Sequence, residues 1–178
     1  IKRAQWQDKL SARLLKVPYV HGVFTLPHEL NGLLKRNKSQ LYSVLMRSCW
    51  QTVKSLTKDP NHVGGLPGMI SVLHTFGSDM NFHVHVIALI TFGGLGKDGV
   101  WYWPKQRKKL APFRLMSSRF REVFLTNVER LIKQDKIEVG SDWSEQSQSL
   151  RDKRWNVRTL YPTMNTELIE GYLARYIN

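Results

Sequence analysis

The chain has 178 residues, 42% of them hydrophobic and 11% aromatic, enough to bury one core and too few to need two, so one globular domain over residues 1–178 is expected. Lysine and arginine number 27 against 14 acids, a formal charge of +13; that excess attracts polyanions through field and counterion release and makes nucleic acid the first candidate partner. Cys49 stands alone, which excludes an internal disulfide framework or cysteine zinc site, and no apolar run approaches the ~20 residues of a membrane span. A reducing, cytoplasmic setting without a membrane partner fits. In chain order, "YVHGVFTL" (19–26) reads as a strand closed by Pro27, and 38–59 as a helix with Leu41, Val44, Leu45, Val53 and Leu56 at helical spacing. "GGLPG" breaks the chain. Strands follow near 69–76 and 82–91, then "FGGLGKDG" turns into the short aromatic "VWYW". Phe113, Met116, Phe120, Phe124, Val128, Leu131 and Ile132 mark one face of a helix over 113–134. After a polar stretch, 154–161 reads as a strand and "NTELIEGYLARYIN" as a last helix capped by Asn165 or Thr166. The assembly expected is α+β: an antiparallel sheet covered by helices. With isoleucine first and a helical pattern still running at residue 178, the chain reads as a fragment.

Three of the six histidines fall in "ISVLHTFGSDMNFHVHVIALITFGGL" (70–95). Side chains alternate along a strand, so His83 and His85 project from one face about 7 Å apart. A hairpin turning at Ser78 and Asp79 sets His74 opposite His83 on that face, and a register two residues longer sets it opposite His85. Shuffling produces His-x-His in roughly one such sequence in five, so the weight comes from the setting. A face carrying Val72, Ile87 and Leu89 gains nothing from three imidazoles unless they pair, coordinate or titrate. His21 is a fourth candidate if the first strand lies next door, while His28 and His62 sit in turn-like, solvated settings.

Tyr172 and Tyr176 stand at i and i+4 of the last helix, with Arg175 one step aside, so both hydroxyls can address one site. The commoner role of such a stripe is core packing. Joined to the histidines, it describes a chemistry in which a tyrosine oxygen attacks a phosphodiester polarised by an imidazole-held divalent ion. Residues 101–121, "WYWPKQRKKLAPFRLMSSRFR", carry seven basic residues and no acid. Lys105, Arg107, Lys108, Lys109 and Arg114 are candidate phosphate contacts, and Trp101, Tyr102 and Trp103 candidate stacking platforms, a core role being as open for at least one tryptophan.

The phrases "VPYVHGVFTLPHEL", "LHTFGSDMNFHVH", "TFGGL" and "YLARY" together resemble the HUH single-strand endonucleases, and among them the two-tyrosine rolling-circle transposases of the insertion-sequence-91 type. The resemblance implies a palm-like (ferredoxin- or RRM-like) sheet presenting the H-x-H strand, and a helix presenting Tyr172 and Tyr176 as nucleophiles. It further implies cleavage and rejoining of single-stranded DNA at transposon ends and target, through a 5′-phosphotyrosine link that leaves a free 3′-hydroxyl. The setting implied is the bacterial cytoplasm beside the nucleoid. His74, His83 and His85 would bind Mg2+ or Mn2+, the largely imidazole set suiting manganese, and Arg175 would assist at the phosphate. A plasmid relaxase or replication-initiator nuclease is the alternative of the same chemistry. The sequence departs from the family in two places. A cysteine-rich zinc segment before this region is absent, and Ile87 stands where the family's longer His-x-His-x-His alternation has its last histidine. That second departure gives the other alternative, a non-catalytic DNA-binding domain with a degraded metal site.

Overall fold

The computed structural model describes residues 12–76 and 82–165, together with Gln5 and Lys9. Strand β1 (Tyr19–Thr25) alternates, sending Val20 and Phe24 to one side. A 3-10 turn (His28–Leu30) and a short helix α1 (Asn31–Arg36) follow Pro27, and α2 (Lys38–Lys58) buries Leu41, Val44, Leu45, Cys49, Val53 and Leu56 along one stripe. Strands β2 (Met69–Phe76) and β3 (Phe82–Thr91) then pair, and a small ribbon joins β4 (Gly94–Leu95) to β5 (Trp101–Tyr102). Gly65 and Gly94 let two backbones cross there: a Cβ on either would stand within 2.6 Å of the other's carbonyl oxygen. Helix α3 (Phe113–Lys133), helix α4 (Trp143–Asp152) and strand β6 (Asn156–Thr159) complete the described chain.

The main sheet runs β2-β3-β1-β6, antiparallel throughout. This is the α+β architecture expected, with the H-x-H strand next to its centre. Period-two alternation divides the strands into two faces. Val84, Val86, Ala88 and Ile90 of β3, with Val20, Phe24 and Val157, meet the helices in one cluster. At its centre Trp155 packs edge-on to Phe120, ring centres 5.6 Å apart, and Phe24 meets Phe120 at 5.2 Å. The indole N–H of Trp155 donates to the Leu150 carbonyl at 3.0 Å, which satisfies the one polar atom this large side chain carries into the core. Among the described residues the opposite face is only partly covered. Tyr19, Ile87 and Leu89 form a second, smaller cluster with Leu14, Val17, Ile70 and Val72.

Two segments differ from the sequence reading. Residues 143–152, read as a polar stretch, form α4, because what holds them is mostly not an apolar stripe. Leu150 is the helix's one buried residue, and Arg151 pairs with Glu122 at 2.9 Å and with Glu129, both on α3. Residues 28–36 also turn helical where no helix was expected. The junction after α1 rests on Asn37, 5% exposed. Its amide donates to the Glu138 carbonyl at 2.8 Å and to the Leu33 carbonyl at 3.1 Å, and its oxygen accepts from the Glu138 N–H at 2.9 Å. Asn37→Ala is therefore expected to cost about 1–3 kcal/mol in urea denaturation, because it strands buried backbone groups; an unchanged midpoint would show the junction to be held otherwise. No helix among the described residues is long and apolar enough to cross a membrane.

Candidate active site

The register of β2 on β3 decides where the histidines meet. Ile70 faces Leu89, Val72 faces Ile87, and His74 faces His85, the longer of the two registers weighed from sequence. A bulge beyond His74 shifts the pairing by one residue, so that Phe76 faces Phe82. The turn expected at Ser78 and Asp79 lies outside the described residues. On the partly covered face the rings of His74 and His85 stand 5.2 Å apart centre to centre, and those of His83 and His85 5.3 Å apart. All three imidazoles share one corner of the sheet.

Their chemistry follows from this placement. His85 Nδ1 lies 3.0 Å from the His83 carbonyl oxygen. A carbonyl can only accept, so Nδ1 carries the proton and Nε2 keeps its lone pair. Burial pushes His85 below the usual histidine range and the neighbouring His74 and His83 push the same way, against the bond to the His83 carbonyl. The ring is thus held neutral, the form in which imidazole binds a metal. Two imidazoles on one ion at a tetrahedral angle hold their ring centres about 5 Å apart, given metal–nitrogen distances near 2.1 Å. His74 with His85, and His83 with His85, thus stand at the spacing of two imidazoles on one ion. As placed, no group of three His, Cys, Asp or Glu side chains among the described residues could hold a metal ion, so a shared ion requires the rings to rotate towards a common point.

Strand pairing extends this corner into rows across the sheet. The first runs His74, His85, Thr25 and Asn156, and the second Val72, Ile87, Val23 and Arg158. His21 faces Leu89, in the apolar third of the face, four residues and about 13 Å along β1 from the first row. The geometry thus leaves His21 out of the trio. Ile87 is 2% exposed and packed, a core residue of the second cluster. Thr25, Asn156 and Arg158 were missed from the sequence. The alternation of "RWNVRT" held the signal, since Trp155 and Val157 are buried while Arg154, Asn156 and Arg158 are exposed.

The basic stretch divides. Lys105, Arg107, Lys108 and Lys109 are exposed. The Lys105 N–H donates to the His62 carbonyl at 2.9 Å, and the Lys108 ammonium lies 5.2 Å from the centre of the Tyr161 ring. Tyr161 lies beyond β6, near the Thr163 that bridges to Tyr19. This loop therefore flanks the end of the sheet away from the histidines, about 20 Å along β1. Arg114, in contrast, shares a groove with Arg121 and Arg154, and Arg154 also lines the groove that reaches His83. Tyr102 and Trp103 are exposed and Trp101 half-buried, with Trp101 and Trp103 edge-on at 6.1 Å. Tyr172, Arg175 and Tyr176 lie outside the described residues.

Comparison with known proteins specifies the family. Residues 68–178 match the family Y2_Tnp, described as "Putative transposase", and the chain belongs to that family. It is 30% identical over 185 aligned residues to "Putative transposase y4qJ" of Sinorhizobium fredii, covering 99% of this chain and 46% of that protein. It is 27% identical to the "Transposase for insertion sequence element IS801" of Pseudomonas savastanoi pv. phaseolicola, covering 97% of this chain and 42% of that protein. The chain thus spans a little under half the length of these relatives. Among solved structures, the conjugative relaxase TrwC in complex with a 27-mer DNA aligns with a TM-score of 0.46 at 10% identity, over 88% of this chain and 71% of that one. A likeness this loose transfers neither site residues nor activity.

Proposed function

We propose that this chain is the catalytic portion of a transposase that cuts and rejoins single-stranded DNA through a tyrosine, at the ends of a mobile element and at its target in the bacterial cytoplasm. The observation that carries the reading is the pairing of His74 with His85 beside His83 on the face of the palm away from the main core, in a chain of a transposase family. His74, His83 and His85 would hold Mn2+ or Mg2+. A bound divalent ion supplies Lewis acidity to the scissile phosphate. The phenol oxygen of Tyr172 or Tyr176 forms the bond to phosphorus as the 3′-oxygen leaves, and the leaving oxygen takes up a proton. The phosphodiester energy is kept in the protein link, so a strand's hydroxyl can later reverse the step without ATP.

Arg175 would assist at the phosphate, and Lys105, Arg107, Lys108 and Lys109 would engage more distant phosphates of a longer strand.

Labelled single-stranded DNA from the element's ends is expected to become covalently attached to the protein with Mn2+ and to remain free when the metal is chelated; no attachment with any divalent ion would sink the proposal. The ion's seat is tested separately. Isothermal titration of Mn2+ is expected to show binding that His85→Ala weakens more than about tenfold, whereas a chain that binds DNA but no manganese would be the degraded, non-catalytic domain.

A further inference from the structure

The sequence reading offers Lys105, Arg107, Lys108, Lys109 and Arg114 as phosphate contacts. The folded chain offers a different route at the histidine corner. A groove of about 260 Å³ is lined by Thr25, Pro27, His83, Lys153, Arg154 and Asn156. Arg154 also lines the next groove, about 310 Å³, with Arg114, Ser117, Ser118, Arg121 and Asp152. The two grooves meet at Arg154, which lies between His83 in one and the first turns of α3 in the other. Across the face itself, the row His74, His85, Thr25, Asn156 leads to β6, with four strands spanning about 14 Å.

The junction of the grooves is held rigidly. Arg121 donates to the Lys153 carbonyl at 2.9 Å, and the Ser117 hydroxyl donates to the Trp155 carbonyl. Trp155, 1% exposed, anchors the residues on either side of it in the core. Lys153 is committed to Glu29, whereas Arg154 and Arg114 are exposed. The Arg154 guanidinium lies over the Phe113 ring, 5.2 Å from its centre, a contact that orients the planar fork while leaving its N–H donors to a ligand. Asp152 is the single acid among the described residues that line the two grooves.

We propose that single-stranded DNA crosses the sheet perpendicular to its strands, from the histidines over Thr25 and Asn156, and leaves through these grooves with Arg154 and Arg114 each binding a phosphate. This rests on the nuclease reading above and adds a path to it. Arg154 and Arg114 are binding residues here, and Asn156, able both to donate and to accept, faces a base edge.

The test is fluorescence anisotropy with a short single-stranded oligonucleotide from the element's end, without metal, over a salt series. Arg154→Ala with Arg114→Ala is expected to weaken binding tenfold or more and to flatten the plot of log affinity against log salt by about 1.4, the release expected for two phosphates on a single strand. The charge-matched pair Lys133→Ala with Lys136→Ala, at the far end of α3 and just beyond it, is expected to change affinity less than twofold. Arg154→Lys, which keeps the charge and loses the fork, guards against misfolding and is expected to fall between the parent and Arg154→Ala. Equal losses in both pairs, or an unchanged slope in the arginine pair, would overturn the path while leaving the nuclease reading standing. Failure of the unaltered chain to bind any single strand would overturn both.

Discussion

Tyr172→Phe combined with Tyr176→Phe is expected to reduce Mn2+-dependent attachment of single-stranded DNA at least about a thousandfold, with DNA affinity changed less than about twofold. The reasoning is atomic. Phenylalanine keeps the ring and lacks the one oxygen that can form the bond to phosphorus. The two positions are i and i+4 on the expected helix, so their hydroxyls address one site. Either single replacement therefore leaves one nucleophile and is expected to retain an adduct. Loss in one single variant alone would identify the tyrosine that acts on that substrate. The measurement is a denaturing gel with 5′- and 3′-labelled strands. The label retained by the protein should be that of the fragment joined through its 5′-phosphate, and the other fragment should carry a 3′-hydroxyl that a polymerase can extend. An adduct persisting in the double variant would falsify the assignment of the tyrosines without touching the metal site.

Much of this molecule is legible before folding, and the reason is periodicity. Strands β1, β2 and β3 and helices α2 and α3 fall where alternation or helical spacing puts them, because β1, β3, α2 and α3 each bury a face in one core and β2 packs Met69 and Leu73 against it. Helix α4 was not legible because side-chain charges hold much of it: Arg151 needs Glu122 and Glu129, which lie more than twenty residues away in sequence. Within the site, strand parity alone put His74, His83 and His85 on one face. Which residue faces His74 was a matter of register, settled by cross-strand pairing and a bulge that no local pattern announces. The basic stretch shows the opposite limit. Its residues are consecutive in sequence, yet the chain runs along the sheet edge between Lys105 and Arg114. Charge that reads as one patch is thereby divided between two ends.

Ile87→His separates a missing ligand from a core residue. Judged from the resemblance alone, the substitution would complete a histidine alternation and strengthen metal binding. The folded chain argues against that. Ile87 is flanked by Val23 on β1 and Val72 on β2, lies against Tyr19 and Leu89, and is 2% exposed. Replacing it forfeits about 2–3 kcal/mol of apolar burial and places imidazole nitrogens in a largely apolar cluster, a further cost of about 1–3 kcal/mol. A total destabilisation of roughly 3–6 kcal/mol is expected in urea denaturation, with no gain in Mn2+ affinity by calorimetry. Ile87→Val, which keeps the apolar contact, is expected to cost about 0.5–1.5 kcal/mol and to leave Mn2+ binding unchanged. If Ile87→His instead left the urea midpoint in place and tightened manganese binding, the second cluster would be a site short of a ligand rather than the packing that holds the histidine corner in register.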